Sequence, residues 1–292
     1  MLRVARLGHQ HTRWLQGLLA LKPCENVYLL ALLDVSGTAQ MSSPAGSLLG
    51  VFDGERPVAA YWAGGNIIPV AATPETNQAL AAKLNAEGRY SCSLIGDRRV
   101  VLDLHRRLSW GRPRGIRERQ PLLAISSPPQ VEPDPEVRLA TLDQLPAVFA
   151  ASVDMFTNEV GFSPTEGGES SYLARVRSII RGGNCFVRIS DTLPQGGRVP
   201  RWPARDLDEQ VLFKADIGIR APRVVQVQGV WVHPEVRNLG LGAAGMAAVV
   251  AQTQAAGHPM VSLYANDYNE VALRVYQRVG FEQVGTFATV MY

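Results

Sequence analysis

The residues best suited to bind a ligand lie between a strand and a helix in the second half of the sequence. Residues 223–232 have the apolar composition of a buried strand, residues 237–242 read R-N-L-G-L-G, and a helix is predicted from Gly242. The first turn of a helix leaves backbone N–H groups without partners at the positive end of the helix dipole. Glycines allow a close approach to that backbone, so the junction is suited to a diphosphate.

Three other interpretations of this strand–helix junction can be compared with its residue types and glycine spacing. A Gly-x-Gly turn between a strand and a helix often serves only the turn, so a purely structural turn stays open on this segment alone. A Rossmann dinucleotide site is a poor fit, because the third glycine and a suitable acid about 20 residues later are both missing. A Walker loop would need Gly-Lys-Ser/Thr, which the segment lacks.

Two segments together resemble the GNAT superfamily of N-acetyltransferases. The strand ending V-x-V-H-P and the R-N-L-G-L-G loop resemble that family's acyl-CoA pyrophosphate loop, R/Q-x-x-G-x-G/A. Residues 269–281 resemble its second signature, N-x-x-A-x-x-x-Y-x-x-x-G-F. The resemblance covers residues 137–292. It implies an N-acetyltransferase that uses acetyl-CoA as its acyl-donor substrate and a primary amine as acceptor.

The resemblance implies a donor site built largely from backbone groups. In this family the pantetheine arm lies along the strand before the loop, where Gly229 would permit a bulge. The implied donor-binding residues are Val230, Trp231, Val232, Arg237, Asn238, Leu239, Gly240, Leu241, Gly242, Ala243, Asn269 and Tyr276.

The resemblance also implies the general acid. Tyr276, with a reference pKa of about 10, would protonate the departing thiolate, whose conjugate thiol has a pKa of about 8.5. The alternative is that Tyr276 is only a core aromatic on an amphipathic helix. Direct attack of the amine in a ternary complex is expected, with a strand amide at or near Val230 holding the oxyanion. Covalent catalysis is disfavoured because none of the cysteines has a histidine at a readable spacing.

The general base is left open by the sequence. Many family members carry a carboxylate on the strand before the loop, where this chain has Gln226 and Gln228. The candidates are Asp216, Glu159, His233 and the terminal carboxylate at Tyr292. A water-relayed base, or no base, is equally open.

The predicted elements of the second half form a mixed α/β domain. Strands are predicted at residues 137–140, 185–189, 211–219, 223–232, 261–265 and 281–292, and helices from 142 onward and at 170–181, 242–256 and 270–279. Antiparallel strands come first and a strand–helix–strand crossover follows. The Gly-, Pro- and Arg-rich stretch at residues 190–208, which includes Trp202, predicts a long hairpin loop.

The first half repeats this order of elements. Strands are predicted at residues 47–53, 57–62, 66–70, 90–95 and 121–126, and helices at 73–84 and 98–108. Its equivalent of the phosphate loop, residues 71–76, has no Gly-x-Gly and no arginine, and has an acid at Glu75. We therefore expect a degenerate, non-catalytic GNAT-like domain at residues 1–127 that has lost CoA binding, as in bacterial tandem GNAT proteins.

A proline-rich segment separates the two predicted domains. Residues 126–137 read SSPPQVEPDPEV, and each proline removes a backbone donor and disfavours helix before it. The acetyltransferase domain is expected at residues 137–292. The predicted fold class is therefore α/β, with tandem GNAT-like mixed sheets flanked by helices.

Composition limits the remaining function classes. The chain has 292 residues, is 46% hydrophobic and 19% charged, and carries a formal charge of +3. These values fit two packed domains and exclude disordered and collagen-like classes. The small charge gives no argument for nucleic acid, and no apolar run approaches the roughly 20 residues of a membrane span. Three separated cysteines predict neither a metal site nor disulfides, so we expect a cytoplasmic protein.

Two further features leave alternatives. Six arginines between residues 106 and 119 are expected on a solvated loop, with an anionic partner or the CoA 3′-phosphate as the other reading. A transferase of longer acyl or aminoacyl groups, and a non-catalytic acyl-CoA-binding sensor or interaction module, are the alternative functions. The acceptor, a small molecule, peptide or protein, is not readable from the sequence, and the protein is expected to be a monomer or homodimer.

Overall fold

The computed structural model describes residues 2–43, 45–192 and 210–292. The elements of the first half, in chain order, are β1 Arg3–Arg6, α1 Thr12–Ala20, α2 Val27–Ser36, β2 Ser42–Ser43, β3 Gly46–Asp53, β4 Arg56–Gly64, β5 Asn66–Val70, α3 Pro74–Glu87, β6 Ser93–Asp97, α4 Arg98–Arg107 and β7 Gly115–Ile125. Those of the second half are β8 Arg138–Leu139, α5 Leu145–Val160, α6 Glu169–Arg181, β9 Cys185–Ser190, β10 Gln210–Arg220, β11 Val224–Val232, α7 Leu241–Ala255, β12 Met260–Tyr264, α8 Glu270–Val279 and β13 Glu282–Met291.

The predicted strands and helices of both halves are present, with ends shifted by three residues or fewer, except that β7 begins six residues before the predicted strand. The helix α8 begins and ends where the sequence predicted it, because Asn269 caps its start and Gly280 ends it with a positive φ of 108°. Most of the predicted loop at residues 190–208, including Trp202, lies outside the described residues. No helix in the described part of the chain is both long and apolar enough to cross a membrane.

The sequence analysis missed the elements at the start of the chain, β1, α1 and α2. Helix α2 lacks a clear apolar stripe because it packs into two different clusters: Leu29 and Leu33 are buried under β3 and β4, and Val27 is buried against the second half. A helix that is apolar on several faces has no 3.6-residue period to detect.

One sheet runs through the whole molecule. Its strand order is β1-β3-β4-β5-β6-β13-β7-β12-β11-β10-β9-β8, with β2 paired to β3. The pairs β5–β6 and β11–β12 are parallel and the other pairs are antiparallel. Strand β13, the last of the second half, lies between β6 and β7 of the first half. Strand β7, the last of the first half, lies between β13 and β12. Each half therefore receives a strand from the other.

The exchange carries core residues across the boundary. Leu123 and Ile125 of β7 are buried in the core beneath α7 and α8. Ala288 and Val290 of β13 are buried in the core that includes α3 and α4 residues. The mixed α/β class with flanking helices is confirmed, and its tandem units share a single sheet instead of forming two.

Strand β7 also corrects the expectation of a solvated arginine-rich loop. The strand begins at Gly115, so Arg117 and Arg119 lie on it, and Arg117 is paired in register with Thr289 of β13. Arg106 and Arg107 end α4. This part of the strand was hard to predict from the sequence because residues 117–119 are all charged. Its partner strand, β13, also lies far away in the chain.

Candidate active site

A cleft of about 1190 Å³ opens where two parallel strands diverge. Strands β11 and β12 are paired only from Val224 to Gln226, opposite Met260 to Ser262. Beyond Gln226, the edge of β11 that faces β12 has no partner strand among the described residues. The free backbone edge ends at the start of α7, and α5, α6 and α8 supply the remaining walls. An extended ligand could therefore pair with β11 and reach the helix start.

The start of α7 is left open to that cleft. Its N-cap, Gly240, has a φ of +87° and provides no side-chain cap, and Asn238 also has a positive φ, 63°. Among the described residues no backbone carbonyl accepts from the Leu241 and Gly242 N–H groups, whereas the Ala243 N–H donates to the Gly240 carbonyl at 3.1 Å. The helix dipole makes this end attractive to anions. The arrangement has the features that the sequence predicted for a diphosphate site.

The loop before α7 presents some of its predicted residues to the cleft and buries others. Arg237, Asn238, Gly240, Gly242 and Ala243 line the cleft. The Arg237 Nε donates to the Val232 carbonyl at 3.1 Å, which holds the guanidinium beside the loop.

Two loop side chains point away from the cleft. Leu239 is 49% exposed, and Leu241 is buried with Leu212 and Val236. These two residues can contribute only backbone groups to a ligand.

The bulge predicted at Gly229 is present. Lys214 and Asp216 of β10 stand opposite Trp231 and Gln228 of β11, so β11 contains one extra residue between them. Gly229 has a φ of +62°, as expected for the glycine of such a bulge. A Cβ at this position would also lie 2.9 Å from Asp216 Oδ2, so both the backbone and the available space require glycine.

The residues after the bulge alternate between the two faces of the sheet. Val230 and Val232 line the cleft and pack toward α7 and α8. Trp231 also lines the cleft and packs against α5 and α6, where its Nε1 donates to Asp154 Oδ2 at 2.8 Å. The backbone of this segment therefore lies along the gap between β11 and β12.

Helix α8 brings Asn269 and Tyr276 to the same cleft. Asn269 Oδ1 accepts from the Ala272 N–H at 3.2 Å, so this side chain caps the helix. The Tyr276 ring is 7% exposed and meets Phe281 edge-on, with centroids 5.9 Å apart. Burial, and secondarily the charge of Glu159, raise the pKa of Tyr276 well above its usual value. Its phenol therefore stays protonated, as a proton donor must be.

Two of the four base candidates line the cleft, Asp216 and Glu159. Asp216 is 6% exposed, and its Oδ1 is buried without a hydrogen-bond partner. The Glu159 side chain is 52% exposed and lies at the rim, where its Oε1 is 3.6 Å from Arg117 Nη1 of the first half. The more enclosed carboxylate is therefore Asp216.

The other two candidates are not brought to the cleft. His233 is fully buried, and its Nδ1 accepts from the Glu235 N–H at 3.2 Å at the start of a short 3-10 turn. The Tyr292 hydroxyl lies 2.7 Å from His105 Nδ1, and its ring packs edge-on against Trp110 in the first half. The sequence analysis expected the last strand to stay with its own half, whereas the exchange of β13 carries Tyr292 into the other core.

The sequence analysis missed Lys214. Its side chain is 1% exposed, lines the cleft, and its Nζ pairs with Asp216 Oδ2 and lies 3.5 Å from the Gly229 carbonyl oxygen. Burial opposes the charged form, but Asp216, Cys185 and Tyr172 together outweigh it and raise the pKa of Lys214. A signal existed in the sequence: one lysine in an otherwise apolar strand, with an aspartate two residues later on the same face.

Comparison with known proteins agrees with this geometry. Residues 203–281 match the model of the acetyltransferase (GNAT) family. The C-terminal half carries a GNAT domain. Residues 46–148 match a domain of unknown function, DUF4081, which fits a degenerate domain ahead of the GNAT domain. No curated protein matches the chain.

Several solved structures resemble the whole chain, including its GNAT domain. A GCN5-related N-acetyltransferase from Sphaerobacter thermophilus matches with a TM-score of 0.60 and 12% identity, over 100% of this chain and 95% of its own. A GNAT-family acetyltransferase from Colwellia psychrerythraea matches with a TM-score of 0.55 and 10% identity, over 99% of both chains. A tandem GNAT protein from the clavulanic acid biosynthesis pathway matches with a TM-score of 0.53 and 15% identity, over 100% and 98%. At such identities the likeness concerns the fold.

Proposed function

We propose that this protein is an acyl-CoA-dependent N-acyltransferase that transfers an acetyl group from acetyl-CoA to a primary amine. One observation carries the proposal: the gap between β11 and β12 leads directly to the uncapped start of α7, with Tyr276 in the same cleft. A thioester with a long arm and a diphosphate fits such a cleft, since the arm can pair with a strand edge while the diphosphate meets the helix start.

The donor is held mainly by backbone groups in this proposal. The pantetheine arm pairs with the free edge of β11 at Val230 and Val232. The diphosphate accepts hydrogen bonds from amides of residues 238–243, and Arg237 adds a positive charge. Asn269 faces the arm from α8. Acetyl-CoA is the acyl-donor substrate, and no metal takes part.

The reaction is direct attack within a ternary complex. The amine nitrogen donates its lone pair to the thioester carbonyl carbon, so a C–N bond forms and the carbonyl oxygen becomes an oxyanion beside the Val230 N–H. The C–S bond then breaks, and Tyr276 gives its proton to the departing sulfur. Asp216 takes a proton from the attached nitrogen, which is a stronger acid once the C–N bond has formed.

The first half has a structural or acceptor-shaping role in this proposal. We assign a degenerate GNAT-like domain to residues 1–127 and the acetyltransferase domain to residues 137–292. Three free cysteines are consistent with action in the cytoplasm, as a monomer or homodimer. A small molecule, a peptide or a protein could supply the amine.

Calorimetry of acetyl-CoA against the full chain tests the donor site. Gly242 is the position to change, because a Cβ there would stay 3.5 Å from Val232 and the φ is not positive. Gly242→Glu adds a charge that repels the diphosphate, and Gly242→Ala is the matched control. We expect micromolar binding to wild type, a loss of about 100-fold or more in Gly242→Glu, and a small change in Gly242→Ala.

Turnover separates an enzyme from a sensor. A panel of amines, incubated with the protein and acetyl-CoA, should release free CoA thiol at a rate above the amine-free control. Binding that depends on Gly242 but no thiol release with any amine would favour the acyl-CoA sensor. A wild-type protein that binds no acyl-CoA would refute both functions.

A further inference from the structure

We infer that Lys214 is a positioning residue that holds the Gly229–Val230 peptide so that the Val230 N–H faces the donor carbonyl. The inference rests on the proposed acyl transfer. It assigns a task to a buried cation that neither the GNAT motifs nor the expected donor site uses.

The first observation is that the charge of Lys214 is buried, which is energetically unfavourable. Its ammonium is almost fully buried in a strand whose neighbours Phe213 and Ala215 are core residues. A buried charge is expensive unless partners compensate for it. The described partners are the Asp216 carboxylate and the Gly229 carbonyl oxygen at 3.5 Å. Both partners border the cleft.

The second observation is that Gly229 and Val230 have no partner residue in the register of β10 or β12. In register, Lys214 faces Trp231 and Asp216 faces Gln228, so Gly229 and Val230 form the bulge between the two paired positions. On the other side, β12 has already separated from β11. A bulge locally disrupts the ladder, so an additional contact can set the orientation of the peptide inside it.

The planarity of the peptide links the lysine to the amide. The C=O of Gly229 and the N–H of Val230 belong to one planar trans unit, so they point in opposite directions. When the ammonium attracts the carbonyl oxygen, the Val230 N–H is turned away from Lys214. The positive charge also polarises this peptide, which makes the N–H a stronger donor to an oxyanion.

The same cation holds the acceptor-side carboxylate. Lys214 binds Asp216 Oδ2, which leaves the unpartnered Oδ1 for the attacking amine. Lys214 thus connects the group that receives the amine with the amide that stabilises the oxyanion. The absence of a side chain at Gly229 keeps this arrangement possible, because a Cβ would lie 3.4 Å from Lys214 Nζ and 2.9 Å from Asp216 Oδ2.

The test compares Asp216→Asn with the double variant Lys214→Met, Asp216→Asn in the full chain. The double variant removes both charges together, so no unpaired carboxylate is left to unfold the protein. Both proteins lack the Asp216 carboxylate, so they differ only in the Lys214 side chain, which in Asp216→Asn keeps its N–H donors but has lost the partner that favours its charged form. Three quantities are measured: the Kd of acetyl-CoA, kcat with an active amine, and the infrared stretch of the thioester carbonyl in bound carbon-13-labelled acetyl-CoA.

We expect the double variant to bind acetyl-CoA within a few-fold of Asp216→Asn and to lose a further 10- to 100-fold in kcat, as an order of magnitude for weakening one oxyanion donor. The carbonyl stretch should move to higher wavenumber, because its hydrogen bond is weaker. Lys214→Gln in the same Asp216→Asn background keeps an N–H donor and should recover part of both effects. It also serves as the test protein if the methionine variant does not fold.

The outcomes distinguish this inference from the proposed function. If wild type binds no acetyl-CoA, the acyl transfer and the role of Lys214 both fail. If wild type binds and turns over, but the carbonyl stretch is the same with and without Lys214, then Lys214 does not orient the amide. A fall in kcat with an unchanged stretch would likewise overturn the inference.

Discussion

The two halves of the molecule begin equivalent helices in opposite ways. Helix α3 follows β5, and helix α7 follows β11, after strands that each take part in a parallel pair. At α3 the Thr73 side chain accepts from the Thr76 N–H and its own N–H donates to Thr76 Oγ1, while Pro74 has no N–H to satisfy. At α7, Gly240 provides no cap. The start of α3 is capped by side chains, and the start of α7 has no side-chain cap.

In both halves the parallel strands are paired over a short stretch, at two positions between β5 and β6 and at three between β11 and β12. In the first half, Gly96 of β6 lies against the Pro69 ring of β5, where a Cβ would come within 3.3 Å of Pro69 Cδ. In the second half, β11 and β12 separate after Gln226 and leave the cleft. Where the second half has a cleft and a helix start without a side-chain cap, the first half has the Gly96–Pro69 contact and the Thr73 cap.

The largest expected difference between the halves comes from removing one hydroxyl in each. Tyr276→Phe should lower kcat about 100-fold with little change in acetyl-CoA Kd, because it removes the proposed general acid. Tyr61→Phe removes a buried hydroxyl bonded to Thr76 and Asn77, and should cost about 1–2 kcal/mol of stability without changing kcat per folded molecule. Steady-state kinetics and urea unfolding check the pair; an unchanged kcat in Tyr276→Phe would remove this residue from the mechanism.

The contacts of β7 with residues of the second half should give the next largest effect, a change in stability. Gln120 of β7 is buried, donates to Asn266 Oδ1 at 3.1 Å and accepts from Thr289 Oγ1 at 2.7 Å. Gln120→Leu leaves both partners unsatisfied and should lower the free energy of unfolding by about 2 kcal/mol. Arg119→Gln, at an exposed position on the same strand, is the control. Equal stability of the two variants would argue that the exchanged strands do not couple the halves.

Removing the side-chain cap of α3 should have a smaller effect, which lowers stability and leaves acetyl-CoA binding unchanged. Thr73→Ala removes the side-chain cap of α3, so we expect a loss of about 1 kcal/mol in the free energy of unfolding. Acetyl-CoA affinity should stay the same because the donor site lies at α7. Thermal unfolding and calorimetry on one preparation measure both quantities. A loss of acetyl-CoA binding in Thr73→Ala would mean that the first half keeps a donor site.

Tyr276 should not change the shape of the pH profile of kcat. Burial raises the pKa of Tyr276, so its phenol keeps its proton as the pH rises from about 8 to 10. The rate should rise in this range as the acceptor amine loses its proton, in wild type and Tyr276→Phe alike. The two pH profiles of kcat should therefore be parallel. A fall in the wild-type profile that is absent from Tyr276→Phe would contradict the proposed protonation state.

Local patterns predicted most of the individual elements. Helix starts at Thr73 and Asn269, the glycine that ends α8 and the bulge at Gly229 all depend on residues close together in sequence, and the structure confirms them. Helix α2 escaped detection because it is buried by both halves and lacks a polar face.

Only part of the candidate site could be predicted from the sequence, because the rest depends on contacts between residues on separate strands. Motif spacing predicted the loop and Tyr276 as site residues, because they depend on one helix start and one helix face, and the structure places them at the same cleft. The pairing of Lys214 with the Gly229 carbonyl depends on the register of β10 against β11, and on the extra residue in the bulge. Two residues on separate strands come together only when that register is fixed.

The sequence by itself determined to within one residue where α6, α7 and α8 start and stop, and residue types alone give α7 no side-chain cap at Gly240 and give α3 a cap at Thr73. Capping and backbone conformation are local properties, so the residue types suffice. Only the tertiary structure decided that β7 and β13 exchange places, which moves Tyr292 into the first half and brings Arg117 to the rim of the cleft. The partner of a strand is chosen by distant backbone edges and buried faces, and no local pattern records that choice.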